Sequence, residues 1–247
     1  MTGQAAMAIE ALYLHILRQA IERRQAVNPR IQALFLAYPD LLVPRAVLAR
    51  WLGEEALGRI PVRSDAAAIW AYHGLKGMAE PLYDSMEIFR MLGIVPEIID
   101  VARVRGMERI VDLNEPLPHD LARRFDLVVD TGTCEHCFNV GRAFMNACEA
   151  LDAGGLLVHA APLNRANHGF WSFNPTVYPD FFEDNGFRIH TLTGVAGNLL
   201  DGMRPFAVDP FARFDAPAGA ALYVVAERVE VRDLKWPVQR KYRGVIP

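Results

Sequence analysis

The chain has 247 residues, 52% of them apolar and 22% charged, a composition that suits a globular protein with a substantial core. Its 26 basic and 29 acidic side chains leave a formal charge of −3, so no overall field recruits nucleic acid or an anionic membrane. No run approaches the roughly 20 apolar residues that span a bilayer. Residues 5–17, interrupted by Glu10 and His15 and followed by Arg18, Arg23 and Arg24, do not read as a signal peptide, so a cytoplasmic location is expected.

Residues 5–27 have an amphipathic helical pattern that Asn28-Pro29 breaks. Residues 29–36 lead into a turn at Tyr38-Pro39-Asp40, and residues 44–52 form a second helix with proline at an early position. Residues 53–63 read as a loop with one helical turn. Without strand character, residues 1–63 are expected to be a helical cap, either over the site or packed away from it.

From residue 64 strands and helices alternate. Residues 66–72 are the first predicted strand and residues 73–77 a loop. Residues 80–92 form a helix closed by Gly93, and residues 97–101 and 109–112 are the second and third strands. Phe125–Asp130 is the fourth strand and residues 156–161 the fifth. Residues 187–192 and 222–226 complete the sheet as an antiparallel hairpin, because the segment between them lacks a helical period. Residues 64–229 are therefore predicted to be an α/β domain, a Rossmann-like doubly wound and mostly parallel seven-stranded sheet. Residues 230–247 form a tail. Its basic and aromatic stretch at 236–242 reads as a docking segment or interface, which leaves a homodimer open.

The most informative stretch is 124–162. FDLVVD at 125–130 is an apolar run ending in an acid, as in a strand buried on both faces. TGTCEH at 131–136 follows at the strand's carboxyl end, where open α/β sheets bind their ligands. Val140, Phe144, Ala147, Cys148 and Leu151 then give a helical period, and Gly154-Gly155 stops it. Cys134 and Cys137 pack two sulfurs, an acid and an imidazole into four residues. A structural zinc site needs a further ligand that the sequence does not show, so they read as packing cysteines and no metal is expected.

In this order of parts the chain resembles a class I S-adenosylmethionine-dependent methyltransferase of the small-molecule, type 11-like branch. The matching residues are FDLV at 125–128, Asp130, Gly132-Thr133, Glu135-His136 and Gly154-Gly155, and the resemblance spans about two-thirds of the chain. It implies S-adenosylmethionine as cofactor and a small molecule as substrate. The family's first strand ends in an acid and a G-x-G-x-G turn. The corresponding place here is taken to be residues 71–78, with Tyr72, Gly74 and Gly77 against the cofactor and the acid missing. The resemblance further assigns Asp100 to the ribose hydroxyls, which an acceptor-only carboxylate suits, and Asp112 and Leu113 to the adenine. It sets Thr131, Gly132 and Glu135 beneath the methyl group.

Methyl transfer to a hydroxyl or amine requires alignment, exclusion of water and removal of a proton. His168 is the preferred base, with His136 and His73 as alternatives, since an imidazole exchanges protons near neutral pH. Amides and aromatics after the fifth strand, Asn164, Asn167, Trp171, Phe173 and Tyr178, suit recognition of a polar small molecule. His15, His119, His159 and His190 read as structural. The leading expectation is methylation of an O or N atom of a small metabolite in biosynthetic tailoring. The altered glycine loop keeps two alternatives open, a silent relative that binds a partner and a methyltransferase-fold enzyme turned to another reaction.

Overall fold

The computed structural model describes residues 8–198 and 202–245. In chain order the elements are α1 (Ala11–Gln25), β1 (Ile31–Leu36), α2 (Arg45–Leu52), α3 (Glu54–Leu57), α4 (Ala66–Tyr72), α5 (Ser85–Met91), β2 (Ile94–Asp100), β3 (Arg109–Ile110), β4 (Phe125–Asp130), α6 (Val140–Glu149), β5 (Leu151–Asn164), α7 (Val177–Asp184), β6 (Phe187–Asn198), β7 (Gly202–Phe206) and β8 (Ala220–Arg228). Eight strands form one sheet in the order β3-β2-β1-β4-β5-β8-β6-β7. The pairs β3/β2, β2/β1, β1/β4 and β4/β5 are parallel, and β8 runs antiparallel between β5 and β6. The expected Rossmann-like doubly wound sheet is the one observed.

Three expectations are corrected. The first strand is Ile31–Leu36, inside the segment read as a helical cap, and it lies centrally between β2 and β4. Its sequence, IQALFL, carries good helix formers and no alternation, because a strand covered on both faces has no polar side to show. Ala33 and Phe35 enter one core, and Leu34 and Leu36 enter the other. Residues 66–72 are helix α4 rather than a strand; periodicity cannot separate a short apolar run of either kind, and three consecutive alanines favour the helix. Finally, β6 and β8 do pair in antiparallel fashion, but β7 forms the outer partner of β6, raising the strand number from seven to eight. Residues 199–201, which join β6 to β7, lie outside the described residues, as do 1–7 and 246–247 at the ends of the expected cap and tail.

Both faces of the sheet are covered. Helices α1, α2 and α5 enclose one core with Tyr13, Leu17, Phe35, Phe89 and Leu127, and α6 and α7 enclose the other with Phe144, Phe181, Phe182 and Leu157. Helix α1 begins on Glu10, whose carboxylate accepts from the N–H groups of Leu12 and Tyr13 and from the Tyr223 hydroxyl. Its far end is fixed by Asp126, which accepts from Arg24 at 2.5 Å, Asn28 at 3.2 Å and the Gln32 N–H at 2.9 Å. That carboxylate sets α1, β1 and β4 in one register, so a segment of helical composition is locked into the sheet. The tail returns over α7: Arg240 and Arg243 reach Glu183, and Lys235 N–H donates to Asn185 Oδ1.

Candidate functional site

Strand β1 has β2 on one side and β4 on the other, so the connections leave it in opposite directions and open a crevice at the strands' carboxyl ends. A cavity of about 330 Å³ lies there. Ala37 and Tyr38 line it from the end of β1, Asp100 and Val101 from β2, Val111 to Asn114 from β3, and Thr131 to Thr133 from β4. His136 and Cys137 follow, and Tyr72 and His73 at the end of α4 close the remaining side.

The structure thus gathers Tyr72, Asp100, Asp112, Leu113, Thr131, Gly132, His73 and His136 of the expected residues around one space. Gly74 and Gly77 are outside this lining, since they follow a helix and not the first strand. The turn that does follow the first strand reads Ala37-Tyr38-Pro39-Asp40 and contains no glycine. Ala37 takes a left-handed conformation, φ 67°, and its N–H donates to the Ile99 carbonyl. Tyr38 lies under the guanidinium groups of Arg63 and Arg105, and burial pushes its hydroxyl pKa up. Arg105 pairs with the buried Asp40 at 2.7 Å, and Asp40 also meets His73 Nε2 at 3.1 Å. This bond ties α4 to the turn after β1.

Asp100 is half-buried, and its carboxylate is engaged by the backbone of its own turn, including Ala102 N–H at 3.3 Å. Burial raises its pKa above the ordinary aspartate value. Asp112 is exposed and held below the usual carboxylate range by hydrogen bonds from Asn114 N–H and its side-chain amide. Behind it, the fully buried Asn146 of α6 donates to the carbonyls of Leu113 and Glu115 and accepts from Leu117 N–H. Sequence reasoning missed Asn146, although an amide beside Ala143, Phe144 and Ala147 on an apolar helix face was a visible signal.

The end of β4 is fixed by Asp130, which has no exposed surface. One oxygen accepts from Gly132 N–H at 3.0 Å and Thr133 N–H at 2.7 Å, and the other meets His159 Nδ1 at 2.8 Å. Burial alone would raise its pKa, but the hydrogen bond and charge of His159 outweigh it and hold Asp130 ionised. His159 Nε2 lies 3.1 Å from the Tyr178 hydroxyl. Tyr178 and Phe173, both expected to bind substrate, therefore belong to the core, where they pack with Phe144 and His159. Asn164 at the end of β5 and Asn167 on the loop that follows are exposed, and neither lines the cavity. Trp171 remains half-exposed at the surface, within an aromatic group that includes Phe138 and Phe170.

Glu135 does not line the cavity; it lies directly behind His136, with no exposed surface. Its carboxyl pKa is raised to about 7, chiefly by burial and then by the charge of Asp130. His168 Nε2 stands 3.4 Å from Glu135 Oε1, and burial lowers the pKa of this imidazole. His168 is thus absent from the lining and sits behind His136, with the two ring centres 5.2 Å apart. The thiols of Cys134 and Cys137 are free and pushed up by burial, Cys137 to about 11. Both are therefore neutral at physiological pH, as packing cysteines are.

No family model matches the chain, and no curated protein matches it. Among solved structures it is similar to a chain from the complex between the Haloferax volcanii Trm112 methyltransferase activator and a candidate methyltransferase, at 12% identity and TM-score 0.48 over 89% of this chain and 91% of that one. It is also similar to the Burkholderia thailandensis 1,6-didemethyltoxoflavin-N1-methyltransferase, at 12% identity and TM-score 0.39 over 92% and 93% of the two chains. A candidate methyltransferase of Bacillus halodurans gives 11% identity and TM-score 0.39 over 85% and 97%. At such identities and scores neither an activity nor a ligand passes from these proteins to this chain.

Proposed function

We propose that the chain binds S-adenosylmethionine in this cavity and transfers its methyl group to an O or N atom of a small polar molecule. The observation that carries the reading is Asp100: a half-buried carboxylate with spare acceptor capacity, at the end of the strand beside β1, in a cavity of about 330 Å³. That volume is within the range of small-molecule sites. Asp100 would accept from the two ribose hydroxyls, and the turn from Asp112 to Asn114, braced by Asn146, would hold the adenine. Ala37, Tyr38 and Tyr72 would bound the methionine end. When bound, the cofactor supplies an electrophilic methyl group on a sulfonium. The chain's own residues align the acceptor, exclude water and handle its proton.

Of the three histidines expected as bases, His136 alone presents a half-exposed ring to the cavity, with 46% of its side chain accessible. His73 is buried and bound to Asp40, and His168 lies behind His136. Phe138, two residues after His136, groups with the surface aromatics Phe170 and Trp171, joined by Trp171 Nε1–H donating to the Phe138 carbonyl, and the group offers a platform for an acceptor with a flat face.

Calorimetry with S-adenosylmethionine and S-adenosylhomocysteine tests the reading. Micromolar binding is expected, weakened about 10- to 100-fold in Asp100→Ala, as loss of hydrogen bonds to a charged acceptor dictates. Absence of binding to the unaltered chain overturns it. The glycine-free turn after β1, where Ala37 adds a Cβ that glycine lacks, favours a second reading as a binding protein without turnover. S-adenosylhomocysteine binding with no methyl transfer across a panel of small hydroxyl and amine acceptors would select that reading.

A further inference from the structure

Behind the cavity wall, Glu135, His136 and His168 bring one carboxylate and two imidazoles together, with ligand atoms all within 4.8 Å of one another. Three features set this group apart from an ordinary buried acid. Both carboxylate oxygens of Glu135 are buried without a hydrogen-bond partner, and so is His168 Nε2. A buried carboxyl group left in this way costs about 1–3 kcal/mol or more, so native proteins rarely leave one without a ligand, ion or water. The main chain also holds the group together, because Phe170 and Trp171 N–H donate to the Glu135 carbonyl. Gly169 lets the two segments of that contact close, since a Cβ there would lie 2.9 Å from the same oxygen. His168 is thereby pressed against Glu135, its side chain 4% exposed.

We propose that Glu135, His136 and His168 bind a first-row divalent cation of the zinc type. Ligand atoms at metal distances of about 2.0–2.2 Å stand about 3.3–3.6 Å apart at tetrahedral angles. The Glu135 Oε1 to His168 Nε2 separation is 3.4 Å. His136 Nε2 is 4.0 Å from the same oxygen, so its half-exposed ring would shift inward by a few tenths of an ångström to complete the set. Two imidazoles and one carboxylate suit zinc and its neighbours better than magnesium or calcium, which prefer all-oxygen shells. Three protein ligands leave a position for water or an acceptor oxygen, the arrangement of catalytic rather than structural zinc sites. The second cluster of ligand-type residues, Asp130, Cys134 and His159, is different: its carboxylate is already consumed by His159 and two backbone N–H groups.

Binding of the cation does not depend on the methyltransferase reading, and it is measured without cofactor. The full chain, stripped with chelator and dialysed against Zn²⁺, is expected to retain one equivalent by elemental analysis. With Co²⁺ it should show the intense visible bands of a low-coordinate nitrogen and oxygen site. His168→Ala and His136→Ala should each weaken Zn²⁺ binding at least 100-fold; the exposed position of His136 keeps that variant folded even if His168→Ala is not. Cys137→Ser should bind as the unaltered chain does. The proposal is overturned by a chain that takes up no Zn²⁺, by uptake that persists in His136→Ala, or by a cobalt–thiolate band that disappears in Cys137→Ser.

Discussion

Asn146 offers the sharpest test of how the Asp112–Asn114 side of the cavity, where the adenine is proposed to lie, is built. Its side chain accepts from Leu117 N–H at 3.2 Å and donates to the carbonyls of Leu113 at 3.1 Å and Glu115 at 2.8 Å. Asn146→Ala removes all three. Glu115 is exposed, so its carbonyl regains a partner from water; Leu113 and Leu117 are buried and do not. At about 1 kcal/mol per lost hydrogen bond, with a further penalty for two buried groups left unpaired, the cost is about 2–4 kcal/mol. Asn146→Asp discriminates the mechanism. It keeps the shape and the acceptor but sets a carboxylate against two carbonyls, so it should be no more stable than the alanine variant at neutral pH. Urea unfolding gives the stability of both, and calorimetry with S-adenosylhomocysteine reports the loosened turn as weaker binding. An alanine variant within 1 kcal/mol of the parent, with unchanged ligand affinity, would refute the argument that this amide positions the turn. So would an aspartate variant clearly more stable than the alanine one.

Arg228 is fully buried in β8, and its guanidinium donates to the carbonyls of Cys148, Glu149, Leu151 and Arg232. Arg228→Met strips four acceptors while relieving a buried charge; a net loss of about 2–4 kcal/mol is expected, read as a Tm lower by about 5–15 °C, and an unchanged Tm contradicts it. Ala37→Gly should be close to neutral, because relief of the left-handed strain is offset by added chain entropy, whereas Ala37→Val should cost about 1–3 kcal/mol by thermal unfolding. Equal stability of the two would show that the φ of 67° is not maintained in solution. The pKa of Asp100 is raised, and hydroxyl donors bind the ionised form. Cofactor affinity should therefore be full well above this pKa and fall as pH drops through it, beginning at a higher pH than for an ordinary aspartate. Calorimetry across pH with Asp100→Asn as reference checks this, since the variant should show no such step.

Much of the cavity lining was legible because strand ends announce themselves. Asp100, Asp112 and Thr131 each follow a β-branched or apolar run and end on an acid or a turn residue, and the doubly wound order then forces their carboxyl ends together. What the sequence concealed was of two kinds. Strand β1 carries no alternation because both its faces are buried, and its helix-forming composition pointed the other way. The assignment of the glycine turn to residues 71–78 follows from that error, since it places the first strand three elements too late, on α4. The second kind is pairing across long separations. Nothing local marks His159 as the partner of Asp130, or Tyr178 as the partner of His159; those bonds span 29 and 19 residues. The same limit hid the meeting of His168 with Glu135.

Tyr72 and His73 reached the cavity for a reason unlike the one that singled them out. They were expected at the end of a strand, in a loop where glycine lets the backbone approach a ligand. They stand instead at the end of helix α4, held there by His73 on Asp40, and Asp40 terminates the turn that follows β1. The role of the missing glycines is thereby divided. Ala37 supplies the left-handed backbone but adds a Cβ, and α4 supplies the wall. Both arginines over Tyr38 already have carboxylate partners, Arg63 in Asp65 and Arg105 in Asp40. A ligand carboxylate at this end would have to compete with those acids, and the exposed ring of Tyr72 would instead favour an apolar or cationic portion. A sulfonium with its methyl group is such a portion, so the turn that departs furthest from the motif the sequence resembles is still chemically compatible with the cofactor proposed for this cavity.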